Sequence, residues 1–310
     1  MTGTFQSAGG EALPLPEFTA WRLIHTDGHG ADSFSVTFPT QPGLLPRLMR
    51  GAGFLAGDGE KTAFRGVTDE VEAVWADAFT TTLVGRGLAA KLMDNQADGA
   101  QYFHLDLDTV LDRYVRPFGV TQIRTAGGPW RTQMLAVSPG TSCMRVLQGF
   151  CRHAGAPMPR FTPDGTLWIG PPTGTHRLSE ADVLSARWRL CRYGVVTGQY
   201  VHDLTTGRTS HAEEASLRGY DVASVRYATR SGPFTNIIER SAAQRVAEAK
   251  RDFLTLELTL PGTFAAQCCD AVQVSLPALR VAGEFAITEI CRRFDGRCET
   301  TRLRLRAKEQ

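Results

Sequence analysis

Leu254-Thr255-Leu256-Glu257-Leu258-Thr259-Leu260-Pro261-Gly262 decides the fold. Leucine occupies every second position up to Leu260, with Thr255, Glu257 and Thr259 between. A period of two places the leucines on one face and the polar residues on the other, as in a half-buried β-strand, and Pro261-Gly262 ends it. Upstream, Ile238, Ala242, Val246, Ala249 and Phe253 fall three or four residues apart. They form one apolar stripe and predict a helix over about 236–251. Downstream, Val272, Val274 and Leu276 alternate, then comes Phe285 to Cys291, then Leu303 and Leu305 between Arg302, Arg304 and Arg306. A helix followed by a meander of alternating strands describes a barrel-like unit.

The same alternation opens the chain. Phe34, Val36 and Phe38 alternate with Ser35 and Thr37, and Pro39, Pro42 and Gly43 break the run. Gly57-Asp58-Gly59 is a turn, Val71, Ala73 and Trp75 alternate again, and Thr80 to Val84 is rich in β-branched residues. From Gly85 the period changes. Leu88 and Leu92 suggest a short helix from about Arg86 to Met93, and Asp106 caps a stripe of Leu107, Val110, Leu111 and Tyr114 that Pro117 ends. Ser142 leads into Cys143, Leu147, Phe150, Cys151 and Ala154, one helical face stopped by Gly155. Asp164-Gly165 marks a hairpin, and Pro171-Pro172-Thr173-Gly174 a linker. Beyond it Trp188 and Leu190 alternate with Arg187 and Arg189, and Tyr200 to Leu204 runs into a Thr206-Gly207-Arg208 turn.

These readings give an α+β fold, mainly β. Two tube-like antiparallel β-barrel domains, over 17–84 and 173–310, flank a smaller α/β insert over 85–172. Residues 1–16 read as a flexible N-terminal arm. The two β-rich ends have the make-up of structural duplicates with diverged sequence, although no repeat is visible by eye.

Composition narrows the functional classes. A chain of 310 residues has room for two or three domains. Its hydrophobic fraction of 42% and charged fraction of 21% suit a folded domain with a sizeable core. A formal net charge of +2, with arginine scattered, declares no nucleic-acid partner. No apolar run is long enough to span a bilayer, and the N-terminus does not read as a secretory signal. Seven cysteines without a CxxC pair fit reduced thiols in a cytoplasm better than a disulfide framework.

Candidate chemistry is sparse. His25, Asp27, His29 and Asp32 are the densest group of metal-ligand types, but their spacing matches no known ligand set. Gly28-x-Gly30 favours a flexible turn instead. His202 and Asp203 point to opposite faces if the strand holds, and His211 with Glu213 and Glu214 reads the same way, as solvated polarity. Cys143 and Cys151 lie on an apolar helix face and read as core. Cys268-Cys269 reads as two free thiols. The Gly-x-Gly pairs at Gly51, Gly57 and Gly85 open no GxGxxG helix, and no GxSxG, HExxH or P-loop occurs. No catalytic residue, metal or cofactor is expected. The one candidate interface is the row Arg302, Arg304, Arg306, which shares one strand face and reads either as a solvated outer surface or as an inter-subunit or lumen surface.

Two stretches carry a family resemblance. The first is Gly66-Val67-Thr68-Asp69-Glu70, then Thr82 to Asp94 with its Gly85-Arg86-Gly87-Leu88, then Pro139-Gly140-Thr141-Ser142 and the Asp164-Gly165 hairpin. The second is the C-terminal helix with the strands at Leu254, Ala271, Ile287 and Thr300. In order and spacing, over roughly 62–306, the chain resembles the baseplate hub proteins of contractile phage tails of the Mu type and of prophage-like tails. It is related through them to the hub portion of VgrG-type spikes, although no needle-like repeat follows the second barrel. The resemblance implies a non-enzymatic structural subunit that forms a homotrimer, a symmetry adaptor between a sixfold tail tube and a threefold spike. It implies as partners the tail tube or tube-initiator protein, a separate spike protein and the tape measure protein. It implies a place in the baseplate of a virion or phage-like particle made in the bacterial host cytoplasm. The competing readings are a tail-tube or tube-initiator protein, which needs one barrel only, and a tail-tip cell-wall hydrolase, for which no acid/base pair is visible.

Overall fold

The computed structural model describes residues 1–307 apart from 8, 42 and 231–239. The first β unit contains β1 (Thr2–Ser7), β2 (Ala12–Pro14), β3 (Ala20–Thr26), β4 (Ser33–Pro39), a one-turn α1 (Leu45–Leu48), β5 (Gly51–Asp58), β6 (Lys61–Trp75) and β7 (Phe79–Gly87). The alternation in β4 buries Phe34, Val36 and Phe38 against Phe54, Phe64 and Leu83. Phe34 and Phe54 stack with ring centroids 3.9 Å apart. The expected flexible arm is instead ordered: β1 pairs with both β2 and β5, and Phe5 and Leu13 are buried in this core. Each of these short strands carries one large apolar side chain, too little alternation to announce a strand; pairing with β5 supplies the rest. Pro42 of the expected strand break lies outside the described residues.

The insert follows as α2 (Ala89–Met93), β8 (Ala100–Asp106), α3 (Leu107–Tyr114), β9 (Ile123–Thr125), β10 (Arg131–Val137), α4 (Cys143–Ala154), β11 (Arg160–Phe161) and β12 (Leu167–Ile169). Helices α3 and α4 begin where the sequence indicates, whereas α2 starts only at Ala89, because Arg86, its expected first residue, still belongs to β7. Asp106 accepts the Thr109 N–H, Ser142 accepts the Arg145 N–H, and Gly155 closes α4 in the left-handed region at φ 69°. Their apolar faces meet in a separate core around Leu111, Leu147 and Phe150.

The second β unit is interrupted, which the sequence did not indicate. β13 (Thr175–Ser179) and β14 (Ser185–Leu190) precede a small separate sheet of β15 (Gly198–Asp203), β16 (Thr209–Glu213) and β17 (Val225–Arg230), followed by α5 (Ala242–Lys250). The unit resumes with β18 (Leu254–Pro261), β19 (Ala271–Leu276), β20 (Val281–Phe294) and β21 (Glu299–Ala307). The hairpin at Thr206-Gly207 thus belongs to the small sheet and not to a barrel wall. Helix α5 starts after the Ser241 cap; Ile238, the first residue of the expected stripe, lies outside the described residues. Leu256, Leu258, Val272, Val274, Leu303 and Leu305 fill the second core.

The expectation of two separate closed barrels is corrected. A single 13-stranded sheet runs through both units, in the order β14-β18-β21-β20-β3-β4-β7-β6-β5-β1-β2, with β19 and β13 branching from β20. The cause is β20. Its residues 281–286 pair with β19, and after a bulge at Thr288 its residues 289–294 pair, along the same edge, with β3 of the first unit. The edge that would close one barrel is spent on joining the two.

The duplication is visible in the register. In the first unit Val36 pairs with Leu83 and Leu83 with Val71; in the second Leu258 pairs with Leu303 and Leu303 with Ile290. Pro39 opposite Thr80 matches Pro261 opposite Thr300. Above all, β6 skips a residue between Thr68 and Glu70 where β20 skips one between Ile287 and Glu289. Strands β4, β5, β6 and β7 thus correspond in register to β18, β19, β20 and β21, and β3 corresponds to β14.

A shared sheet couples the two cores. Phe34→Ala is expected to cost about 3–5 kcal/mol, read as a lower urea midpoint. Amide-exchange protection should collapse at the same urea concentration in β4 and in β21; two separate midpoints would contradict the shared sheet.

Candidate assembly surfaces

The loop between β3 and β4 carries the four candidate metal ligands, and it is an anchor and not a flexible turn. His25 Nδ1 lies 3.3 Å from Asp32 Oδ2, and Nε2 lies 3.1 Å from the Ala63 carbonyl oxygen. The other oxygen of Asp32 accepts the Thr26 N–H at 2.8 Å. Asp27 turns away from this pair. It meets His29 Nδ1 at 3.1 Å and accepts from Arg251 at 2.6 Å through both oxygens, while its own N–H donates to the Thr288 carbonyl in the β20 bulge. The four side chains therefore form two separate networks, and among the described residues no group of three or more His, Cys, Asp or Glu is placed to hold a metal ion. Gly28 is required here: its φ is +90°, and a Cβ would lie 2.2 Å from the Pro159 carbonyl oxygen. The loop thus ties the insert, both β units and the end of α5 together.

The remaining candidates resolve into structure. Cys143 and Cys151 are buried in the insert core, and burial pushes the Cys151 thiol up to about 12. Cys268 and Cys269 are free, and burial raises both thiols. His202 bonds Thr209 at 2.9 Å and Asp203 bonds Arg230 at 2.9 Å, on opposite sides of β15. Tyr200 stacks on His211 at 4.1 Å, and Glu214 pairs with Lys250 at 3.1 Å. Gly85 serves close strand packing, since a Cβ there would lie 2.1 Å from the Val67 carbonyl oxygen.

Arg302, Arg304 and Arg306 do share one face of β21, alternating with buried Leu303 and Leu305. Arg302 reaches Glu289 at 3.2 Å and Arg304 reaches Asp252 at 3.1 Å. On the neighbouring strand β18, Glu257 lies between Arg304 and Arg187 of β14. The outer face of this unit thus carries arginines from β21 to β14, an end strand of the sheet, interleaved with Glu257, Glu289 and Asp252.

The first unit presents the opposite sign. Strand β5 pairs with β6 only as far as Val67, so along residues 70–75 no strand among the described residues covers the outer edge of β6. Glu70 and Glu72 project from one face of this arm, and Val71, Ala73 and Trp75 from the other. Trp75 is 87% exposed. The alternation of Val71, Ala73 and Trp75 signals a strand but not that the strand outruns its core.

Burial alone would raise the Asp27 carboxyl, but His29 and Arg251 outweigh it and hold it below 3.8. A lowered folded-state value adds stability that is present above the unfolded value and is lost as pH falls through the folded one. Asp27→Asn should cost about 2–3 kcal/mol at neutral pH. The gap between wild type and variant should narrow as pH falls below 3.8; a gap that stays constant in acid unfolding titrations would exclude this role.

No protein-family model matches the chain, and no curated protein matches it in sequence. Solved structures do match. A tail protein of prophage MuSo2 from Shewanella oneidensis superposes with a TM-score of 0.78 at 14% identity, covering 99% of this chain and 98% of that one. A tail protein from Neisseria meningitidis superposes with a TM-score of 0.75 at 15% identity, covering 98% and 95%. A component of the type VI secretion system of E. coli superposes with a TM-score of 0.59 at 9% identity, covering 95% and 74%. From end to end, the chain has the fold of prophage tail proteins and, more distantly, that of type VI secretion proteins.

Proposed function

We propose that the protein is a structural baseplate hub subunit of a phage or phage-like contractile tail. In this reading three copies form a ring that joins a sixfold tail tube to a threefold spike. The observation that carries it is the strand-by-strand duplication within one chain: two β units with the same register, bulge included. Three copies then present six equivalent units to the tube while keeping threefold symmetry for the spike. A tube subunit needs only one such unit. The end-to-end likeness to prophage tail proteins supports the same placement. No catalytic constellation enters this account, and its partners are the tube or tube-initiator protein, the spike and the tape measure protein. The site of action is the tail baseplate of the particle, after synthesis in the host cytoplasm. The row Arg302, Arg304, Arg306 is the charged surface assigned to contacts between subunits.

Native mass spectrometry of the purified full chain should give three copies. A stable six-copy ring would favour a tube protein, and a monomer at every concentration would reject the hub. Replacing Arg302, Arg304 and Arg306 together by Glu should shift sedimentation toward the monomer; an unchanged profile would remove these arginines from the interface.

A further inference from the structure

We propose that copies of this chain join by adding the exposed arm of β6, residues 70–75, antiparallel to the open edge of β14 in the next copy. This joint follows from the duplication and, in that copies assemble, from the hub reading above. Within one chain the joint between units is already built: residues 289–294 of β20 lie antiparallel to β3, with Ile290 opposite His25, Cys291 opposite Ile24, Arg292 opposite Leu23 and Phe294 opposite Trp21. The arm of β6 corresponds to that half of β20, and β14 corresponds to β3. Both are unpaired along these edges among the described strands. The first unit therefore offers the half-joint that the second unit uses internally, and the second offers the half that the first uses.

Carrying the internal register over gives a definite pairing. Glu72 falls opposite Arg189, Val71 opposite Leu190, Ala73 opposite Trp188 and Trp75 opposite Ala186. Val74 falls opposite Arg187; the match is chemical at the other positions. Opposite charges meet on the outer face, and on the inner face small residues meet large apolar ones. Nothing in the internal joint demands this, because Cys291 and Ile24 occupy the place of Glu72 and Arg189 there. Among the described residues neither Glu72 nor Arg187 has an ion-pair partner within the chain, and Arg189 meets only the Cys191 sulfur, at 4.0 Å. Edges meant to stay single are guarded by charge, lysine above all, by proline or by a bulge, and here the charges on the two edges are of opposite sign. Residues 70–75, Glu-Val-Glu-Ala-Val-Trp, contain no lysine or proline, and their register with β7 is unbroken. A strand-added edge gives affinity through main-chain hydrogen bonds and selectivity through alternate side chains.

The test uses the full chain with Cys191→Ser and Cys298→Ser, which removes the exposed thiol and the half-exposed one beside Arg189. Glu72→Cys with Arg189→Cys, under oxidation or with a short thiol cross-linker, should give covalent multimers on a non-reducing gel. Either cysteine alone, or Glu72→Cys with Ser185→Cys, should not. Glu72→Arg and Arg189→Glu should each weaken association by about tenfold or more, and the double exchange should restore most of it. Assembly of normal mass with no cross-link and no response to either charge change would overturn this joint while leaving the hub intact. A wild-type chain that never associates would overturn both.

Discussion

The structure depends on one strand having two partners along one edge. Strand β20 runs 14 residues from Val281 to Phe294, far longer than the six-residue β19 beside it. At Thr288 the ladder slips by a residue, and beyond the slip the edge is handed from β19 to β3. A bulge bends and twists a strand locally, so the far half leaves its own unit and enters the next. The Thr288 carbonyl freed by the slip accepts the Asp27 N–H, and the Thr288 hydroxyl donates to the Arg304 carbonyl. The defect in the ladder is thereby satisfied at the junction. Arg251, at the end of α5, locks the same Asp27 from the other side. Two curled sheets become one because the groups orphaned at the bulge are paired across the boundary.

The same slip in β6 shows what duplication preserves. Side chains have diverged: Phe34 stands where Leu256 does, Phe54 where Val272 does, and no repeat is visible in the sequence. Register has not diverged. A shift of one residue would turn every apolar side chain of a strand from core to surface, so register is held wherever one face is buried. In β6 the bulge residue is Asp69, and its carboxylate is clamped by Arg86, which also holds Asp94 of the following turn. In β20 the bulge is answered by Asp27 of another unit. One backbone irregularity thus has two different partners, a local ion pair in one unit and a neighbouring unit in the other.

What was legible in the sequence follows the same division. Elements whose pattern is local were readable: the Leu254–Leu260 alternation, the Asp106 and Ser142 caps, Gly155, and the turns at Asp58 and Asp164. Each depends on residues within a few positions. The order of elements and the mainly β class follow from these. Features decided by distant pairing were not readable. Strands β1 and β2 exist because β5 accepts them, and the small sheet of β15–β17 is separate because its chain leaves β14 and returns only at β18. The handover at Thr288 has no sequence signal, since a bulge without glycine looks like any strand residue. The loop from His25 to Asp32 looked like a ligand cluster or a flexible turn; its carboxylates instead answer an arginine and a carbonyl that lie far away in sequence. The arginines of β21 share a face as expected, but their meaning depends on β14 two strands away, which periodicity alone cannot supply.

A sheet that joins two units by handing over an edge leaves the edge of β14 and the arm of β6 without a strand partner among the described residues. Closing either unit on itself would bury these edges within the chain. It would also cost the internal joint, because β20 cannot pair with β3 and complete its own barrel along the same residues. An open chain with a duplicated joint is therefore a consequence of geometry: once β20 serves β3, the corresponding half of β6 and the edge of β14 have no strand partner among the described residues. Exposed edges of this kind carry main-chain groups that pair with whatever strand arrives. The opposite signs carried by Glu72 on one edge and by Arg189 on the other favour an arriving copy in one orientation and oppose pairing of like edges. Heterologous contacts of this type close into rings when the rotation per copy allows. In the proposed joint the corresponding strands meet in the register of β20 with β3, so the internal joint sets that rotation.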